Sequence, residues 1–300
     1  VPSGAVIESG PPSYSRAEWL TSAAQDSLAQ PVGVGLAPNG NVIIFHRGVA
    51  PAAPYVPGNV VAFVDPKTGN IRNAWGAGFF VQPHGMHVDR AGHLWLTDIK
   101  RHQVFKFSLT GDLLLTLGEE GVTGSDESHF DQPTDVAVAP DGSIFVTDGY
   151  GNRRVMKFAA DGTFLQQWGK EGNQSGEFMN PHAIDIAADG TIYVADRDNN
   201  RIQVFNAQGE FQKAIPTAAA VYACILADVP GNLLATDYLK RDTTILGSAV
   251  FTPTTTDPDV WIDRPTNGSE ACRYHDLVMA KDGNLYLADL LSKEVHQFVR

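Results

Sequence analysis

Three histidines stand in related settings along this chain of 300 residues: His84 in QPHGMHVD, His182 in NPHAID and His275 in RYHDLV. Three imidazoles and an open fourth position make a metal centre that can activate a bound hydroxyl or water, and zinc suits an imidazole set without a thiolate. That chemistry requires the three side chains to meet, although 98 and 93 residues of chain separate them.

A repeat can bring them together. A phrase of alternating apolar residues around Asp-Gly or Asn-Gly, closed by a run such as IYVAD, recurs as PHGMHVDRAGHLWLTD, PTDVAVAPDGSIFVTD, PHAIDIAADGTIYVAD and YHDLVMAKDGNLYLAD. Each copy reads as two short strands about a tight turn. A third strand ending on phenylalanine follows in HQVFKF, RRVMKF, RIQVF and EVHQF. Taken as markers, Phe63, Phe107, Phe158, Phe205, Phe251 and Phe298 divide the chain at spacings of 44, 51, 47, 46 and 47 residues. Strand-rich repeats of about 40 to 50 residues are propeller blades, because one small sheet cannot bury both faces until neighbours stack around an axis. The sequence therefore predicts an all-β fold, a six-bladed β-propeller, as a single domain over residues 1–300. The first copy, PVGVGLAPNGNVIIFHRG, lacks the closing aspartate, and the fifth, ACILADVPGNLLATD, lacks the leading proline. The one helical expectation is a short turn around SRAEWLTSAAQD.

Within the repeat the histidines share a slot. Eight residues before the turn glycine, the six copies carry Val32, His84, Thr134, His182, Ala223 and His275. Alternate blades of a six-bladed ring lie about 120° apart, and the first strand of each runs nearest the axis, so copies two, four and six aim their imidazoles at one point. An antiparallel second strand returns to the same face. The residues just after it then surround the metal: Arg47 in FHRG, Gly149 and Tyr150 in VTDGYGN, and Arg197 in ADRDNN. Copies one and four oppose each other across the ring, so Arg47 and Arg197 form an anion site suited to a carboxylate.

Other repeated polar residues read as structural. Asp98, Asp148, Asp196 and Asp289 are expected to tie turns through backbone hydrogen bonds, and Arg153, Arg154 and Arg201 follow the same repeat logic. A formal net charge of −12 with no basic stripe argues against nucleic acid or an anionic membrane as partner. A small molecule, a metal or a protein fits better, with a monomer the expected state. No apolar run approaches the roughly 20 residues of a spanning helix. Cys224 and Cys272 do not fix the compartment. A first residue Val1 is compatible with a trimmed targeting segment and a secreted or periplasmic setting.

The strings VIIFHRG, QPHGMHVD, DIKRHQVFKF, SHFDQPTDVAV, FVTDGYGNRR, QWGKEG, NPHAIDI and VADRDNNRIQVF, in this order, resemble the peptidyl-α-hydroxyglycine α-amidating lyases, or peptidylamidoglycolate lyases, on an NHL-type propeller. The resemblance runs from about Val32 to Phe298. It implies a zinc-dependent lyase that splits the C–N bond of an N-acyl α-hydroxyglycine into a primary amide and glyoxylate. His84, His182 and His275 match the family's zinc ligands, and Tyr150, Arg47 and Arg197 match its active-site tyrosine and arginines. The family also holds a calcium ion near the axis, whose ligands fall on the backbone carbonyls of Val34 and Met86 and the carboxylate of Asp276. Mixed carbonyl and carboxylate oxygens suit calcium.

The chain departs from the family in three respects. The animal members place disulfide cysteines at the positions of Asp131 and Gly151 and of Tyr193 and Val204, none of which is cysteine here. Arg273 replaces a family methionine two residues before the third zinc ligand and adds a third cation to the substrate-binding set. The family's copper hydroxylating domain has no counterpart within this stretch, so the hydroxylated substrate is expected from elsewhere. Two readings compete with peptide amidation: a ureidoglycolate lyase acting on a small carbinolamide, and a non-catalytic propeller scaffold. A calcium-dependent lactone or ester hydrolase would need axial carboxylates and asparagines in place of the three histidines.

Overall fold

In the computed structural model of the chain, residues 13–50, 53–226, 233–241, 244–253, 259–262 and 271–300 are described. They form six antiparallel sheets arranged as the blades of a propeller, five built from consecutive strands and the sixth joining Ser15–Ala17 to the last three strands. The first strands of the blades, Pro31–Leu36, Pro83–Val88, Asp135–Val138, Pro181–Ile186, Ala220–Leu226 and Tyr274–Met279, pack against one another around the axis. The fifth sheet carries an additional strand, Thr244–Gly247, against its long second strand Leu233–Arg241.

The core lies between blades. Trp95 and Val104 of blade two pack with Val136, Ile144, Val146 and Met156 of blade three, and Phe145 and Val155 of blade three pack with Ile192, Val194 and Phe205 of blade four. Each sheet thus buries its faces against its neighbours, as the repeat length requires. The turn glycines Gly92, Gly142, Gly190 and Gly283 all take φ between 83° and 88°, a left-handed conformation that glycine adopts without steric cost.

The closing aspartates hold the blades' corners. Asp98 accepts hydrogen bonds from the amides of Val81, Gln82, Lys100 and Arg101, while Asp196 accepts from Met179 and Asn180 and pairs with Arg201. Asp148 likewise accepts from the amide of Asp131 and from Arg154. In blade one, where the aspartate is missing, His46 substitutes: burial lowers its pKa to about 4, and the neutral Nδ1 accepts from the Gly48 amide at 3.1 Å.

The ring is closed by strands far apart in the sequence. Strand Ser15–Ala17 completes the sixth sheet, with Ser15 opposite Val299, Arg16 opposite Phe298 and Ala17 opposite Gln297. Trp19 adds a hydrogen bond from Nε1 to the Val295 carbonyl at 2.7 Å. The segment expected as one helical turn therefore resolves into this strand and a helix, Ser22–Asp26, capped by the Thr21 hydroxyl.

The register of the first strands sets up the site. Pairing slips between Pro31 and Gly33, Pro83 and Met86, Pro181 and Ala183, Val221 and Ala223, and Tyr274 and Asp276. Such bulges leave a residue out of the ladder and re-aim its side chain. The residues so displaced include Val32, His84, His182, Tyr222 and His275.

Candidate active site

The bulges bring His84, His182 and His275 together on the axis, with ring centroids 4.7 to 4.9 Å apart and all three residues buried. Each Nδ1 faces a carbonyl of the next blade: His84 that of Thr134 at 2.7 Å, His182 that of Tyr222 at 2.8 Å, and His275 that of Val32 at 2.7 Å. A carbonyl can only accept, so each Nδ1 carries the proton and each Nε2 keeps a lone pair. Burial lowers the pKa of His84 to about 3, with the Arg47 charge adding to it, and drives those of His182 and His275 well below the usual imidazole range. Three neutral imidazoles, oriented by carbonyls, with one ligand atom from each inside a 4.8 Å span, form a group that can hold a metal ion.

Tyr150 hangs over this group from blade three. Gly149 permits the approach, since a Cβ there would lie 2.2 Å from the Pro181 carbonyl oxygen. The Tyr150 hydroxyl sits 2.9 Å from His84 Nε2 and 3.2 Å from His182 Nε2, and accepts from Arg197 Nη1 at 3.4 Å. Burial raises its pKa, while the charges of Arg197 and Arg47 work in the opposite direction. Arg197 itself is desolvated, yet the Asp198 carboxylate at 2.8 Å and the Tyr150 and Tyr222 rings keep it firmly protonated. Arg47 is tied by Nε to the Pro83 carbonyl at 3.3 Å, next to His84. Burial lowers its pKa, with Arg273 among the charges acting the same way.

Blade five contributes a residue that sequence counting places wrongly. The slot matching the histidines holds Tyr222, not Ala223: its carbonyl receives His182, and its ring lies 4.7 Å from His182 and 5.4 Å from His275. Six residues separate strands Ala220–Leu226 and Leu233–Arg241, against five between Pro83–Val88 and Leu94–Asp98, so counting back from the glycine falls one short. Tyr238, which follows Asp237 as Arg197 follows Asp196, packs on Tyr222 at 4.7 Å. Arg273 reaches the same tyrosine, with its guanidinium carbon 5.8 Å from the ring centroid.

Val34, Met86 and Asp276 stand one or two residues beyond Val32, His84 and His275 on the inner strands, on the wall of an axial cavity of about 1020 Å³ that Asp135 and Asp185 also line. Asp276 accepts from the amides of Val34 and Leu277, each at 2.8 Å, and burial raises its pKa to about 7. Asp135 is pushed well up by burial and then by Asp276 and Asp185. A crowd of desolvated carboxylates fits a hard cation. Of the two cysteines, Cys272 is buried beside Ser248, and the side chain of Cys224 lies outside the described residues.

Fold and site together define a six-bladed propeller with a three-histidine axial centre under a tyrosine and an arginine rim. A family described as 6-bladed beta-propeller, DUF5128, matches residues 123–245. The chain is 34% identical over 305 residues to peptidyl-glycine alpha-amidating monooxygenase B of Xenopus laevis, a match over 90% of this chain and 34% of that protein. It is 36% identical over 164 residues to peptidyl-alpha-hydroxyglycine alpha-amidating lyase 2 of Drosophila melanogaster, covering 49% of this chain and 40% of that one. Among solved structures, a streptogramin B lyase shares the fold with a TM-score of 0.62 at 15% identity, over 95% of this chain and 97% of the other. The chain is thus a six-bladed propeller related to the peptidyl-α-hydroxyglycine α-amidating lyases, which are carbon–nitrogen lyases. It spans about a third of the length of the frog relative. The positions of the animal disulfides are neighbours here without cysteines: Tyr193 is opposite Val204, and the Gly151 amide bonds the Asp131 carbonyl at 2.9 Å.

Proposed function

We propose that residues 1–300 act as one propeller domain that cleaves the C–N bond of an N-acyl α-hydroxyglycine, giving a primary amide and glyoxylate. The observation that carries this reading is the Tyr150 hydroxyl, held against two imidazole Nε2 atoms and one guanidinium. Zinc on His84, His182 and His275 would supply a Lewis acid for the α-hydroxyl and positive charge beside Tyr150. Tyr150 takes the hydroxyl proton as the oxygen becomes a carbonyl, and the amide nitrogen receives a proton as its bond to carbon breaks. Arg47 and Arg197 hold the glycolate carboxylate and the charge that develops beside it. No electron is transferred, so no redox partner is needed. The test is glyoxylate release from benzoyl-α-hydroxyglycine, with ureidoglycolate run beside it. Equimolar glyoxylate and benzamide, lost with chelator and restored with zinc, are expected. Release indifferent to chelation, or turnover of ureidoglycolate alone, would overturn the assignment.

The second metal of this proposal is calcium, bound by the carbonyls of Val34 and Met86 and by Asp276. A cation that binds only the folded ring stabilises it in proportion to RT ln(1 + [L]/Kd). Calcium at 100 times its Kd is then expected to stabilise the parent by about 2.7 kcal/mol, and Asp276→Asn to shrink the resulting rise in Tm while leaving zinc content unchanged. A parent Tm indifferent to calcium removes this site.

A further inference from the structure

We propose that Arg273 recognises a second anionic group on the substrate, so that the preferred acyl α-hydroxyglycines bear an acid on the acyl side; this rests on the lyase reading above. Three guanidiniums, from Arg47, Arg197 and Arg273, border the histidine centre, and they are not equally satisfied. Arg197 has the Asp198 carboxylate, and Arg47 has the Pro83 carbonyl. Arg273 forms no ion pair among the described residues, and its buried Nε has no hydrogen-bond partner. A buried donor left unmade is costly, the more so when charged, so a site that keeps one is complete only with an acceptor.

The position of Arg273 is held. Its amide donates to Asp289 Oδ1 at 2.8 Å, two residues before His275, so the side chain leaves the backbone at a fixed place on the rim. Its guanidinium carbon lies 5.8 Å from the Tyr222 ring, which Arg197 approaches to 5.1 Å. Tyr222 in turn touches His182 and His275, so Arg273 stands one aromatic ring away from the reacting centre. A single glycolate carboxylate held by Arg47 and Arg197 does not satisfy it. A second carboxylate, displaced along the acyl chain past Tyr222, offers the paired oxygens that a guanidinium fork takes up.

The test uses two glycine conjugates that lack the hydroxyl and are not turned over. N-succinylglycine carries a distal carboxylate, and N-succinamoylglycine carries a neutral amide of the same shape. Calorimetric titration of the metal-loaded parent is expected to show the diacid binding about 10-fold tighter or more, the factor that about 1.4 kcal/mol sets. Arg273→Met should bring the two ligands within about 2-fold of each other, and Arg273→Lys should keep part of the preference, as expected when a point charge replaces a fork. Equal binding of the two ligands by the parent, no binding of either, or a preference that survives in Arg273→Met would overturn the proposal. Assay of the α-hydroxylated pair separates this inference from the one beneath it. Diacid preference without glyoxylate release removes the lyase reading alone. Release from both compounds with equal kcat/KM and equal affinity removes the role of Arg273 alone.

Discussion

Replacing Tyr150 with phenylalanine is expected to lower kcat by about 100-fold or more while KM moves little, the range for loss of a general base. Phenylalanine keeps the ring that stands edge-on to His84 at 5.2 Å and under the Arg197 guanidinium at 5.5 Å, so packing is retained. What disappears is the oxygen shared by His84, His182 and Arg197. The glycolate carboxylate is assigned to the arginines, so ground-state binding should survive and the loss should fall on the chemical step. Metal content should be unchanged. Near-parental turnover in Tyr150→Phe would show that another group removes the proton, and the mechanism would then have to be abandoned even with the metal in place.

The second large effect is expected at His182. Alanine there leaves two imidazoles, and a centre with two protein ligands binds zinc far more weakly than one with three. Zinc content after dialysis should fall to a small fraction of the parent's, and glyoxylate release should disappear with it. The same change orphans the Tyr222 carbonyl that His182 Nδ1 holds at 2.8 Å, so a lower Tm is expected as well. Stability and metal therefore have to be read separately: circular dichroism should still show the sheet spectrum, and elemental analysis should show the missing zinc. A folded His182→Ala protein with a full complement of zinc would sink the assignment of the three histidines.

The histidine ring was legible because its signal is arithmetic. A glycine with left-handed φ stands in the turn of the hairpins of blades two, four and six, those hairpins are of one length, and a fixed count from the glycine lands on His84, His182 and His275. The count fails where the hairpin grows by one residue, and for that reason Tyr222 was hidden behind Ala223. Arg47, Tyr150 and Arg197 could be placed because the second strand must return to the face it left. The carbonyls of Val32, Thr134 and Tyr222 that orient the imidazoles carry no sequence signal, since any residue presents a carbonyl. The outer strand Ser15–Ala17 was equally silent: three residues show no alternation, and their strand character comes wholly from the partner Glu294–Val299. His46 in the place of an aspartate reads as degeneracy until its neutral ring is seen accepting the Gly48 amide.

That outer strand also fixes an order of events. Arg16 pairs with Phe298, almost the full length of the chain away, so the last blade cannot be assembled until its own third strand has been synthesised. Five blades can collapse pairwise as they emerge, because their strands are consecutive, but the sixth needs Ser15–Ala17 to meet Glu294–Val299. Loop entropy is a mild obstacle to that meeting, growing by only about 0.6 kcal/mol for each doubling of length. Time is the sharper one: contacts this distant in sequence form slowly, and until they do the open arc displays two unpaired sheet edges to every other chain in solution. The short, charged strand that finally seals the ring leaves little for a stranger to imitate, and it makes closure an intramolecular reaction in competition with crowding by other copies.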